Sequence, residues 1–405
     1  MHVFCWVHGW RPSFILLADG KNTYSFTHYS LCSMFYLAIR FLLYDKTKTL
    51  GALFGVIISI FLIGQNTGIF TFLTNAMKSI PANVQTDIWV VDDRTTNATA
   101  LSSLDMRVLH EVGSVPGVER ASPFISTGAV GKFADGTTAG LNLIGTEAPG
   151  LQGVWNLVKG TKDDLLPEGA VSIDVFDASQ TGGSKLGDWF EINGQKAYIA
   201  TQTRGARGFG AIYCLTTVER ARAYANFPTN KVSAVLVTVA EGHSPTQVRD
   251  RINQSVPGVK AWLKEDFTQA TMTTILFRTG IAISTGTLVV FAIISGSVII
   301  GLTLYSAAID RLRDYGIMKA VGASNGYVSR IIYLQALVLG VVGYGIASVL
   351  LEFFRNGIAK AGTLFDYSLQ IRLVFLVVTL LIAFGGAFVA ARRIRKLEPA
   401  AIFRM

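Results

Sequence analysis

The sequence predicts an α-helical membrane protein with four transmembrane helices and one large α+β extracytoplasmic domain. Three observations carry this. The 405 residues are 50% hydrophobic and only 16% charged, against a charged share of about 25% in soluble domains. Four apolar runs, at residues 49–73, 279–305, 331–354 and 371–391, are each long enough to cross a hydrocarbon core of about 30 Å at about 1.5 Å per helical residue. Between the first and second runs lie roughly 200 residues of mixed strand and helix pattern, a length suited to one folded domain.

Residues 1–33 differ in character from the rest of the chain. They hold His2, His8 and His28, and Cys5 and Cys32, with no apolar period. The stretch Phe14 to Ala18 is too short for the core of a secretory signal, and the His and Cys spacing fits no metal-ligand pattern. Either this is a disordered cytoplasmic extension, or translation begins at Met34 and the preceding residues are not part of the protein. The abrupt change at Met34 favours the second.

Lys and Arg positions orient the four spans. Arg40, Lys46 and Lys48 precede the first, Arg311, Arg313, Lys319 and Arg330 separate the second from the third, and Arg392, Arg393, Arg395 and Lys396 follow the fourth. These segments are expected in the cytoplasm, with both termini, and the protein in the inner (plasma) membrane. Residues 355–370 form a short outward loop, where Arg355, Lys360 and Arg372 are offset by Glu352 and Asp366. Juxtamembrane anchoring to the lipid bilayer explains most of the formal charge of +9. No basic stripe interleaved with aromatics points to nucleic acid.

Within the spans, Gln65, Asn66 and Gln335 are the notable polar residues. They either line a passage or form hydrogen bonds between helices. Gly340, Gly343, Gly345, Gly385 and Gly386 suit close helix packing. The absence of intramembrane charge argues against a proton- or sodium-coupled carrier.

Residues 74–278 form the extracytoplasmic domain. The run Ser114-Val-Pro-Gly-Val118 recurs as Ser255-Val-Pro-Gly-Val259, each time between a helical pattern and a strand-like run. Asp87–Val91, Leu104–Val112 and Glu119–Phe124 make one β-α-β unit; Val232–Val239, Pro245–Asn253 and Val259–Leu263 make another. The two units can fold side by side. Between them, residues 125–231 read as an antiparallel β-rich insertion, with a hairpin over Gly187–Ile199 turning at Asn193-Gly194.

Residues 306–330 contain the most informative stretch, Asp310 to Ser324. Leu312, Tyr315, Met318 and Val321 recur every three residues on one helical face, while Arg311, Arg313, Asp314 and Lys319 lie elsewhere. An amphipathic helix between two apolar runs needs a partner. From Ile300 to Ser324 the sequence resembles the coupling segment of permeases of the FtsX/MacB type, within them the DevC-like permeases of cyanobacterial exporters. The hairpin resembles the Gly-Asp-x-x-x-Ile-Asn-Gly element of the MacB-like periplasmic core. Residues 34–48 resemble the interfacial helix that opens these permeases.

The resemblance implies coupling of an ABC ATPase to Arg311, Leu312, Arg313, Asp314, Tyr315, Gly316, Met318, Lys319, Val321 and Gly322. In the tail, residues 392–405, it implies a second cytoplasmic contact at Pro399, Ile402 and Phe403. It further implies a homodimer working with a periplasmic adaptor and an outer-membrane channel. No P-loop, His-Glu-x-x-His or Gly-x-Ser-x-Gly occurs in the sequence, so no catalysis is expected here. This chain is expected to bind no cofactor; ATP and Mg belong on the partner ATPase. His110 and His243 are expected to face solvent, and Cys214 is the only cysteine of the domain. Two functions fit: export of an amphiphile such as a glycolipid, peptide or drug, or control of a cell-wall hydrolase by a transmembrane signal without transport. The domain's size and its hairpin favour export.

Overall fold

In the computed structural model, which describes residues 31–320 and 323–395, the described residues begin with helix α1 (Leu31–Tyr44), followed after Asp45 by α2 (Lys46–Met77). Asp45 sets this boundary. Its carboxylate accepts from the Lys48 amide at 3.3 Å and its carbonyl from Thr49 at 3.0 Å, which satisfies amides left orphaned by the new helix. Residues 1–30, on which the expectation about the start mostly rests, lie outside the described residues.

After the short α3 (Ser79–Asn83) the sheet domain begins with β1 (Ile88–Asp92), β2 (Leu104–Asp105), α4 (Arg107–Gly113) and β3 (Val118–Lys132). It continues through β4 (Thr138–Thr146), β5 (Leu157–Lys159), β6 (Ala170–Asp174), β7 (Trp189–Ile192), β8 (Gln195–Thr203), β9 (Ile212–Thr217) and α5 (Val218–Ala225). It closes with β10 (Lys231–Val232), β11 (Ala234–Val239), α6 (Pro245–Ser255), β12 (Val259–Leu263) and α7 (Lys264–Arg278).

The two echoed units interleave. The spatial order β12-β1-β11-β3 places one strand of each unit between the two strands of the other, a split β-α-β arrangement. Gly117 and Gly258, with φ of +95° and +76°, supply the left-handed turn that follows α4 and α6 and leads into β3 and β12 in the two copies. Alternation sorts the faces. Ile88, Val90, Val235 and Val237 meet Val112, Val248 and Ile252 of the helices. Trp89, Val91, Phe124 and Leu236 cluster with Phe267 of α7 on the opposite side.

The insertion is not a separate antiparallel module. Strand β3 runs through both parts, pairing with β11 over Val118–Phe124 and with β4 over Phe124–Lys132. Beyond it, β4 pairs parallel with β9 and β6 parallel with β8. Alternation tells which face a residue takes, but strands joined by long crossovers are free to pair in either direction. Only the tight hairpin fixes its own direction. There Asn193 and Gly194 adopt φ of +46° and +82°, as a two-residue type I′ turn requires.

Asp177 lies fully buried in this part, its Oδ1 2.7 Å from Nε of Arg207. Burial pushes its carboxyl up to about 6, opposed by the Arg207 guanidinium and assisted by Asp174. Because the folded value exceeds the ordinary 3.8, the folded state holds the extra proton between about pH 4 and about pH 6. Stability from this group is therefore full below that window and falls as pH rises through it, by at most about 3 kcal/mol. Asp177→Asn is expected to flatten the dependence of melting temperature on pH across the window, measured on the full-length protein in detergent. An unchanged slope would mean that the carboxyl titrates normally.

Helices α8 (Ile281–Ile309), α9 (Leu312–Ala320), α10 (Asn325–Ala359) and α11 (Leu369–Arg395) complete the described chain. Helices α2, α8, α10 and α11 are long and apolar enough to cross a membrane, with mean hydropathies of 1.9, 2.4, 2.1 and 2.7. Large apolar side chains such as Phe291, Leu302, Phe353 and Leu381 remain exposed, as expected of surfaces that face lipid. The chain forms two compact units: one contains the residues up to Val56, Gly296–Gly343 and Val378 onward, the other Ile57–Ser295 and Tyr344–Val377.

Candidate functional site

The first unit contains the short helix α9 and the residues that hold it. Helix α8 ends at Ile309, and the amide of Tyr315 already donates to the Arg311 carbonyl at 3.0 Å, so the break between the two helices is confined to Asp310-Arg311. Both residues are anchored. Asp310 pairs with Lys48 of α2, which also reaches Asp45 at 3.7 Å. The Arg311 guanidinium stands 4.3 Å from the Phe41 ring centroid and 4.6 Å from that of Tyr44. It also donates to the Phe41 carbonyl at 3.2 Å. Each cation-ring contact is worth about 0.5–2 kcal/mol, so α1 is joined to the start of α9 by more than packing.

Tyr315 completes the joint. It is buried, edge-on to Phe41 at 5.8 Å, and lines the same small cavity as Gln335 of α10. Burial pushes its phenol up to about 12, against opposing effects of Arg311 and Gln335. The cavity at this junction measures only about 20 Å³. That is room for little more than a water molecule.

The expected apolar docking face is thus partly used up within the chain. Tyr315 and Gly316 are buried and Met318 and Lys319 half-buried, whereas Arg313, Asp314 and Ile317 are exposed. Ile317, 49% exposed, is the apolar residue of α9 that sequence reasoning passed over. A spacing of three identifies a stripe but not which neighbour claims it. Phe41, Tyr44 and Lys48 were likewise missed, because nothing local links them to Arg311. Leu312 begins the helix, while Val321, Gly322, Pro399, Ile402 and Phe403 lie outside the described residues.

Of the intramembrane polar residues, Gln335 is buried and lines the same small cavity as Tyr315. Gln65 and Asn66 are half-buried on α2. His110 and His243 are exposed. Cys214 is buried, and its thiol is pushed up to about 12 by that burial, which leaves it unreactive. Among the described residues no cluster of three or more His, Cys, Asp or Glu suits a metal ion.

Two families of known proteins match this chain. The family described as MacB-like periplasmic core domain matches residues 49–255, and that described as FtsX-like permease C-terminal matches residues 286–399. Among solved structures, the extracellular domain of the noncanonic ABC-type transporter YknZ from Gram-positive bacteria is 14% identical. The match covers 44% of this chain and 98% of that one, with a TM-score of 0.33. The periplasmic region of MacB from Actinobacillus actinomycetemcomitans is 10% identical, covering 47% of this chain and 94% of that one with a TM-score of 0.37. No curated protein matches significantly.

Proposed function

Since the chain belongs to the family with the MacB-like periplasmic core domain, extended by an FtsX-like permease C-terminal segment, we propose that it is the permease subunit of an ATP-binding-cassette exporter of the DevC-like kind. The family is a permease component of such transporters and not itself a catalyst. On this reading α1, α9 and both termini lie in the cytoplasm and the sheet domain lies outside the inner membrane. Two copies dock on two ATPase subunits that bind ATP and Mg. ATPase closure pushes α9, and the sheet domain moves to drive an amphiphile toward a periplasmic adaptor and outer-membrane channel.

The observation that carries this reading is the two-sided character of α9. Its inner side is tied to α1 and α10 through Arg311 and Tyr315, while Arg313, Asp314 and Ile317 stay uncovered. A helix fixed on one side and free on the other is suited to receive a push. Ile317→Asp puts a charge where an apolar contact is expected, which lowers ATPase affinity at least about tenfold. Arg313→Ala, a rim change, is expected to do less. The measurement is co-purification of the ATPase with the permease. Wild-type recovery with Ile317→Asp would sink the docking reading, and a hydrolase rather than an adaptor in the purified complex would favour signalling.

A further inference from the structure

The connection between α10 and α11 is seated on the sheet domain within one compact unit. Arg207 joins them. Its Nε lies 2.7 Å from the fully buried Asp177, and its Nη1 donates to the Gly362 carbonyl at 3.4 Å. Beneath this contact, Asp174 accepts from the Ala206 amide at 2.8 Å and from Thr203 Oγ1 at 3.1 Å. The segment that carries Arg207 is therefore fixed from inside the domain. Above it, Gly362 has φ of +84°, and Phe176 and Arg207 leave no space for a side chain there. Leu364 lies 3.4 Å from where a Cβ on Gly205 would stand.

The same connection is fastened at its other end. Tyr367 donates to the Gly64 carbonyl of α2 at 2.9 Å, and Asp366 pairs with Arg355 of α10 at 3.2 Å. A flexible link between two helices would follow a moving domain only loosely. Here the planar guanidinium pairs with a buried carboxylate and donates to a backbone carbonyl of the link at once, two directions that a compact ammonium does not span in the same way.

We propose that Arg207 is the key of a latch through which the sheet domain drives α10 and α11. The domain's motion then reaches these helices directly, not only along α2 and α8, which adjoin it in the chain. This rests on the reading of the chain as a mechanically coupled permease.

The test is hydrogen exchange, read by mass spectrometry, on the purified permease with its ATPase in lipid nanodiscs, nucleotide-free and trapped with ATP and vanadate. In the wild type, protection of residues 360–366 is expected to change together with that of residues 203–208. In Arg207→Ala the amides of 360–366 are expected to exchange about tenfold faster and no longer to follow the domain. Arg207→Lys is not expected to restore them. Gly362→Ala keeps both members of the buried ion pair in the chain but sets a Cβ against Arg207 Nη1 and Phe176, and is expected to give the same uncoupling should Arg207→Ala fail to fold. Wild-type protection and following in these variants would overturn the latch. Failure of the ATPase to accompany the wild-type permease would instead strike at the permease reading, leaving the exchange comparison between variants intact.

Discussion

Gly386→Val is expected to cost the protein most of its folded yield in the membrane. A Cβ on Gly386 would stand 2.7 Å from the Ser297 carbonyl oxygen and 2.8 Å from the Gly301 amide nitrogen. Both are backbone atoms of α8, so no side chain can swing aside and the two helices must part. Apolar helices in lipid gain little from the hydrophobic effect and depend on close van der Waals packing. Overpacking costs about 1–3 kcal/mol in a core that can relax, and a contact between two backbones relaxes less. Gly385→Ala is the control, because its Cβ would meet only the Ser297 side chain, at 3.5 Å from Oγ and 4.0 Å from Cβ. Melting in detergent checks the pair. Equal melting of Gly386→Val and wild type would refute the close approach of α8 and α11.

Trp89→Ala should unfold the sheet domain or leave it barely folded. Trp89 sits on β1, which pairs with β11 on one side and β12 on the other. Its ring is fully buried, 5.0 Å from Phe124 and 5.6 Å from Phe267. Removing such a side chain costs about 3–5 kcal/mol, a large part of the 5–15 kcal/mol typical of a domain. Limited proteolysis of membranes from cells making the variant should cut the domain rapidly. Trp89→Phe should be far milder, since the indole Nε1 is buried without a hydrogen-bond partner and its loss removes an unmet donor. Comparable proteolysis of the two variants would contradict this account.

The parts of the fold governed by local chemistry were legible. Four apolar runs announce four helices because composition alone decides them. The repeated Pro-Gly after α4 and α6 marks the paired units because a left-handed glycine turns the chain into the next strand in both copies. What depended on distant partners was hidden. The parallel pairing of β4 with β9 and of β6 with β8 leaves no trace in alternation. The direction of α9 was hidden for a related reason: Tyr315 fits an outward stripe by spacing, yet Phe41 and Gln335, on other helices, claim it. The charged candidates Arg311, Arg313 and Asp314 were visible, but the division of labour among them was not. Arg311 is held inside the chain, while Arg313 and Asp314 are left outside.

Strand β3 spans 15 residues without interruption, joined first to β11 and then to β4. At about 3.3 Å per residue it is about 50 Å long, and the ladder with β11 gives way to the ladder with β4 at Phe124 within it. The repeated units and the insertion therefore share one continuous strand, and under the proposed mechanism they would turn as one lever arm. With one end held, a tilt of about 10° carries the other end through about 9 Å over that length. A displacement of an ångström or two near the fulcrum is thus geared up severalfold at the tip without any change in the domain's own fold.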